Sequence, residues 1–547
     1  VTPITLKNWK ENLHLKRNKS KLKTTCMSKK TIIAAFIALL LGTALKAQTY
    51  DITGIKRINP NDLNAIIENN EIKGYYAFYF LDKEGKKQNL YNLAILDNNL
   101  KQTYSVEMKK SDKLRLLESS YNGERFCFTF VDAREKVLEY MVLDKTGKTV
   151  GTYTLQISKT ELGSYGQGMT EDDNFAGGLA AIKNKGFLRI GMEKKDGMKV
   201  EFEMIDNNGV KKWEANSGFE TDGKSYESAN FLYADDKTAV MSLTTRGRKL
   251  STKGMETYLS FYNIDSGKEM FKVDQKNDKY QISCLGVSYD ESTATYFSYG
   301  QYWALADNMS KDDSKGMYIT EIGTDGKIKK ENYSTWTGDI NNILLTKAKK
   351  KYEDNTKTFI HKVVRTADGK VFAVGEMYRK AVSGWGVASK ILSGGGGGGM
   401  SAMKMILYDM VVFEFDPSFK IKDVTVVEKE KTNLQLPEGW GMLDANRLSL
   451  IMKMLGWFDY SYTIISSDRK QFNSAYVNFD REKGSSSNYV VGNIAYTKDQ
   501  KVVSDKIRLK DDPTRFWVMP AKPGYVVIFE YFRKKKTATF RMEKLNL

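Results

Sequence analysis

Two kinds of β-hairpin alternate along most of this chain, and that alternation constrains the fold more than any other feature. The first kind joins two apolar strands through a turn rich in Asp, Asn, Gly and Lys. It reads Leu96-Asp97-Asn98-Asn99-Leu100-Lys101, then Leu143-Asp144-Lys145-Thr146-Gly147-Lys148 and Ile205-Asp206-Asn207-Asn208-Gly209. Further copies centre on Asp265-Ser266-Gly267-Lys268, Asp325-Gly326-Lys327 and Asp416-Pro417-Ser418-Phe419-Lys420, with a weaker last one at Thr497-Lys498-Asp499-Gln500-Lys501. These residue types tolerate positive φ and bond their own backbone, so each copy specifies a hairpin. The second kind lies between them: Tyr121-Asn122-Gly123-Glu124, Ala234-Asp235-Asp236-Lys237, Asp290-Glu291-Ser292, Ala367-Asp368-Gly369, Asp444-Ala445-Asn446 and Pro520-Ala521-Lys522-Pro523-Gly524.

Two hairpins in succession make a four-stranded meander, which is one blade of a β-propeller. Stacked sandwiches fit less well, because Greek keys need long return connections. Pairing the hairpins gives seven blades and a final incomplete one over 516–547. An early strand at 50–55 can complete that last sheet and close the ring. The expected fold is therefore all-β: one propeller domain over 48–547, with seven or eight four-stranded antiparallel blades. A helix is expected only over 60–70, where Asn59 would cap a segment opened by Pro60.

The first 47 residues read differently. Ser28-Lys29-Lys30, an apolar run from Thr31 to Ala44, and the small residue Ala47 follow the order of a secretory signal peptide starting at Met27. The run is about 14 residues, short of the roughly 20 that cross a bilayer, and an integral membrane protein is not expected. Residues 1–26 read as an upstream extension, and 27–47 as the signal. Export places the protein in the periplasm in the first instance, with extracellular or outer-membrane association as the alternatives.

Residues 1–47 hold ten of the 85 Lys/Arg and one of the 67 Asp/Glu, so without them the net charge falls from +18 to +9. What remains is mixed in sign, as in Lys422-Asp423 and Glu428-Lys429-Glu430-Lys431, which read as solvated surface. Nucleic acid is disfavoured as a partner; an envelope protein or a glycan is expected instead. Beyond residue 47 only Cys127 and Cys284 remain. Each sits in an apolar run, and two buried free thiols are expected.

The turns inside hairpins are short, whereas some connections between strands are long. One runs over 244–254 and includes Arg246; insertions near 299–315 and 380–404 carry Tyr302-Trp303 and Trp385, the latter with a glycine run over 394–399. Another, over 456–460, carries Trp457. In a propeller these connections share one face, and aromatics with Arg are favoured anchors at recognition surfaces. Arg246, Tyr302, Trp303, Trp385 and Trp457 are thus the candidate ligand or partner residues.

Chemistry is harder to find. His361 is the only histidine beyond residue 47, so multi-histidine metal sites are ruled out, and its strand-like surroundings suggest a structural role. No catalytic residue, metal ligand or cofactor is expected. The competing reading is a carbohydrate-active enzyme with acidic residues at the central channel. Glu171-Asp172-Asp173 and Asp312-Asp313 are its available carboxylates.

Val374-Gly375-Glu376-Met377-Tyr378, the glycine-rich insertion, and Met410-Val411-Val412-Phe413-Glu414-Phe415-Asp416 resemble a family of uncharacterised secreted β-propellers from Gram-negative bacteria. The resemblance implies a periplasmic or extracellular site and carries over no catalytic residues. The long-loop face makes a non-enzymatic binding or scaffold protein for an envelope protein or other ligand the expected function.

Overall fold

The computed structural model describes residues 48–546, apart from 60–61, 160, 163–177, 195–197, 218–225, 247–255, 310, 385–399, 480–488 and 510–512. The expected signal sequence at 27–47, the expected extension before it, Trp385 and the glycine run all lie outside the described residues, as do Glu171-Asp172-Asp173.

Eight four-stranded antiparallel blades follow one another along the chain. Blades 1 and 2 span 63–111 and 114–156, blades 3 and 4 span 179–216 and 226–274, and blade 5 spans 280–335. Blade 6 spans 357–427 and gains an extra edge strand, Thr432–Pro437. Blade 7 spans 460–508, and blade 8 is built from Arg515–Pro520, Tyr525–Phe532 and Thr537–Lys544. Its fourth strand is the N-terminal Gln48–Thr53, paired antiparallel with Thr537–Lys544. This pairing ties the two ends of the chain into one sheet. The first strand of every blade touches the first strand of the next, in an unbroken circle that returns from blade 8 to blade 1. These eight strands therefore border the central channel.

The turns show why the sequence folds this way. Asp97 Oδ1 accepts from the backbone N–H groups of Asn99 and Lys101, both at 2.8 Å, and Asp144, Asp206 and Asp416 repeat the pattern. Three residues after each aspartate the backbone must be left-handed. Gly147 and Gly209 meet that demand freely, while Leu100 and Phe419 meet it at φ 62° and 64°. Those two side chains are buried between blades, and their packing offsets the strain.

Three sequence expectations need correction here. The helix expected over 60–70 is not found among the described residues there: Leu63–Glu68 is the inner strand of blade 1, with Leu63, Ala65 and Ile66 buried. Asn69 and Asn70 both have positive φ, the signature of a tight hairpin turn that ends it. Conversely, Asp444-Ala445-Asn446 is not a hairpin. Asp444 Oδ1 accepts from the N–H groups of Asn446 and Arg447 and caps the helix Ala445–Met454. Leu448 and Met452, four apart on one face, bury it against blade 6. Blade 7 instead takes its first hairpin at 466–471, where Ser466 bonds Gln471. Finally, Lys429 is no surface charge; its side chain is fully buried.

Core packing is between blades. Phe78, Phe126, Phe128 and Phe130 fill the junction of blades 1 and 2, and comparable apolar clusters fill the others. Cys127 and Cys284 are both buried and free; burial pushes both thiols above their ordinary pKa.

Candidate functional site

Strand direction sorts the connections. First-to-second and third-to-fourth strand turns leave from one end of the ring, and none joins its strands through more than six residues. Second-to-third strand loops and inter-blade connections leave from the other. Among the described residues, that second end carries 305–309 and 311–315, the helix Asn341–Thr346, and the long passage from blade 6 to blade 7 with the helix Ala445–Met454. The described insertions thus share one face.

The candidate residues on that face have different fates. Tyr302 and Trp303 are not on a loop; they lie on the strand Thr295–Ala304 and are only 2% and 3% exposed. Tyr302 packs edge-on against Tyr280 and Tyr333, and the Trp303 indole N–H donates to the Asp312 carbonyl at 2.9 Å. Both are interior residues, because strand alternation and blade contacts take them before the loop begins. Arg246 ends the strand Thr238–Arg246, with its side chain outside the described residues, as is Trp385. Trp457 is half-buried and stacks on Trp440 with centroids 5.6 Å apart.

The same passage builds a polar centre beneath the surface, where blades 6 and 7 meet. Inner strands of blades 2, 4, 5, 6 and 7 each carry one extra residue relative to the partner strand: Leu117, Leu232, Leu285, His361 and Ser461. Such a bulge re-aims a side chain. Three blades put leucine there, and blade 6 puts an imidazole. His361 stacks face to face on Tyr460 at 4.2 Å, with Phe458 edge-on at 4.9 Å. Neither ring nitrogen has a hydrogen-bond partner among the described residues, although Glu376 Oε2 lies 3.6 Å from Nε2. Burial, reinforced by Lys453 and Lys429, holds its pKa well below the ordinary value, so the ring is neutral.

Behind it, Lys429 Nζ lies 2.6 Å from Asp459 and 3.1 Å from Glu376, with all three side chains essentially inaccessible. Thr432 and Asn478 also donate to Asp459, each at 2.9 Å. Burial, with Glu376 adding, raises the Asp459 pKa to about 6 despite Lys429; burial likewise raises Glu376. For Lys429 burial works against the charge, yet the two carboxylates outweigh it and its pKa rises. The network is a closed ion cluster, and no substrate can touch its carboxylates.

Two further lysines lie on the neighbouring segments. Lys362 follows His361 on the channel-bordering strand, and Lys453 closes the helix Ala445–Met454 with its ammonium 4.9 Å from the Tyr460 ring centroid. Burial lowers the Lys453 pKa to about 8; Glu376 opposes that shift and Lys362 adds to it. Burial alone lowers Lys362.

The described carboxylates nominated from the sequence are engaged. Asp313 pairs with Lys357, and Asp312 accepts from the Asn308 N–H. Glu118, on the inner strand of blade 2, is pushed up to about 8 by burial. Glu201, Glu203 and Glu214 converge in blade 3, but Arg189 and Lys211 supply the cations between them at 2.7–3.8 Å. His361 apart, sequence reasoning missed this centre. The only available hint was the apolar run on both sides of Glu376, which no solvated carboxylate needs.

Among the described residues no helix is long and apolar enough to cross a membrane. Curated proteins give no match to the chain. Among solved structures it is similar to the WD40 domain of SCAP from fission yeast, at 7% identity over 90% of this chain and 98% of that one, with a TM-score of 0.35. The β-propeller domain of the Trilobed protease from Pyrococcus furiosus is similar at 11% identity over 81% and 97% of the two chains, with a TM-score of 0.33. A pair of prolyl endopeptidases gives a match at 10% identity over 90% of this chain and 56% of that one, with a TM-score of 0.38. A model of a family of unknown function, DUF6770, matches residues 27–546, so this eight-bladed propeller belongs to that family.

Proposed function

We propose that the protein is an exported scaffold that binds another protein of the cell envelope through its long-insertion face. Recognition centres on the passage between blades 6 and 7. One observation carries this reading: apolar side chains stand in solvent around the Trp440–Trp457 stack. Met442 is 88% exposed and Met454 61%, and Val382, at the end of the neighbouring blade 6 strand, is 65% exposed. Lys380 pins the passage in place by donating to the carbonyls of Gly441 and Leu443, both at 2.7 Å. Methionine beside aromatics makes an adaptable contact surface. The charged signal-like segment before Gln48 supports export.

The test uses the chain from Gln48 onward as bait against envelope extracts. The wild type should capture a defined partner that the double variant M442E/M454E loses by about tenfold or more, a change of about 1.4 kcal/mol. Equal capture by both would overturn the proposed surface. Sequencing of the N-terminus from the periplasmic fraction tests export, with cleavage after Ala47 expected.

A further inference from the structure

At two successive junctions of the ring, the third-to-fourth strand turn of one blade sits on an aromatic ring of the blade before it. Trp213 of blade 3 lies under Gly267 of blade 4, and Phe271 of blade 4 lies under Gly326 of blade 5. A side-chain carbon on these glycines would come 2.5 Å from the Trp213 ring and 2.8 Å from that of Phe271. Trp213 stands opposite Met204 and Phe271 opposite Phe261, each two residues before the Asp206 or Asn263 that opens the turn. In blade 1 the same register, opposite Ile95 and two residues before Asp97, belongs to Tyr104. Here the next turn rests elsewhere: Gly147 of blade 2 contacts Val106 and Leu93. Tyr104 is left 44% exposed, with no ring contact and no side-chain hydrogen bond among the described residues.

The uncovered ring borders a cleft of about 570 Å³ between blades 1 and 2 at the tight-turn end, within the roughly 300–1,000 Å³ of small-ligand sites. Its apolar lining includes Ile66, Ile95 and Phe126, all buried. Glu68 ties the two blades together at its edge, since Oε1 accepts from Lys145 Nζ and from the Tyr121 hydroxyl, both at 2.7 Å. Other polar groups of the rim are unengaged. Among the described residues the Lys101 ammonium makes no ion pair, the Gln102 amide NH₂ donates to nothing, and Asp97 uses only Oδ1. Charge is balanced: Lys73, Lys101 and Lys145 line the cleft with Glu68 and Asp97, and Glu71, 2.6 Å from Lys73, evens the count. A strongly charged ligand of either sign therefore gains little from the local field.

We propose that this cleft binds a neutral glycan, with one sugar ring laid on Tyr104 and its hydroxyls bonded to Asp97, Lys101 and Gln102. Sugar hydroxyls both donate and accept, which suits a rim of mixed donors and acceptors, and the C–H face of a sugar packs on an aromatic ring whose polar edge stays wet. A peptide chain suits it less. The backbone of the bordering turn is already paired, Asp97 N–H with the Lys101 carbonyl and Leu100 N–H with the Asp97 carbonyl. The cleft lies at the other end of the ring from the Met442–Met454 surface and does not depend on it.

Isothermal titration of the folded protein with maltotriose, cellotriose and triacetylchitotriose tests the site. At least one should bind with a Kd of about 1 mM or tighter. Tyr104→Ala should weaken that binding about tenfold while near-ultraviolet circular dichroism stays native, because the ring it removes is not part of the core. M442E/M454E should bind the sugar as the wild type does; loss of binding there would place the sugar on the other face and overturn the site. Failure of all three sugars to bind would overturn it too, as would undiminished affinity in Y104A. Trigalacturonate or trialanine binding where the neutral sugars do not would assign the cleft to an anion or a peptide, against the proposal.

Discussion

The junction of blades 1 and 2 and that of blades 6 and 7 occupy equivalent places in the ring but are built from opposite chemistry. At the first, Phe78 lies 4.7 Å from Phe128 and stacks on Tyr91 at 5.1 Å, and Tyr76 meets Phe126 edge-on at 5.1 Å. At the second, the end near the tight turns is also aromatic, with Phe372, Phe472 and Tyr496 together. The end near the long insertions holds His361, Glu376, Lys429 and Asp459. Apolar packing suffices to join two blades, as the first junction shows. Buried charge is a costly way to do the same job, since desolvation offsets much of the Coulomb gain. Departures from the local rule cluster at functional places, and this one adjoins the cluster of Phe458 with Trp440 and Trp457 at the proposed partner surface.

The sharpest way to break this comparison is Lys429→Met. Removing the cation strands two buried carboxylates and should cost about 3–5 kcal/mol in urea unfolding. The triple variant K429M/E376M/D459N should regain stability to within about 1 kcal/mol of wild type or exceed it. Failure of that recovery would mean that the ion cluster holds the fold together rather than being tolerated for another purpose.

A second difference lies in pH response. The Asp459 pKa in the folded chain, about 6, lies above its ordinary 3.8. The folded protein therefore keeps a proton that the unfolded chain releases. The contribution of this group is fully present below pH 3.8 and is lost as pH rises to about 6. Measured against Asp459→Asn, wild-type stability should decline across that window. His361 works the other way: its folded pKa is depressed, so its contribution grows as pH rises toward 6.5 and is fully present above it. Phe128→Leu, at the aromatic junction, should lower stability by about 1–2 kcal/mol at every pH, without changing the slope.

The smallest effect belongs to the turns, which both regions share. Asp144 Oδ1 accepts from Thr146 N–H, Thr146 Oγ1 and Lys148 N–H. Asp144→Ala should cost about 1 kcal/mol, seen as a shift in urea midpoint with no change in m-value. A loss as large as that of Lys429→Met would show that one turn controls the register of a whole blade.

Local chemistry was written plainly in the chain. Asp, Asn and Gly at fixed offsets dictated the hairpins, the hairpins dictated the blades, and a strand near the N-terminus was left over to close the last one. Burial of the cysteines followed from the apolar runs around them. Where the sequence misled, the deciding partner was distant or the local signal was ambiguous. Asp444 can open a turn or cap a helix, and only the packing of Leu448 and Met452 on blade 6 selected the helix. Tyr302 and Trp303 stood at the edge of an insertion in the sequence, but blade packing drew them inside.

Lys429 shows the division most clearly. Its run of alternating charges is indistinguishable from a solvated surface, since nothing within it reveals Glu376, 53 positions earlier, or Asp459, 30 later. Turn formation depends on a residue's own backbone and can be read from a few letters. The fate of a charge depends on which dielectric and which counter-charges surround it, and those are assembled only when the ring closes.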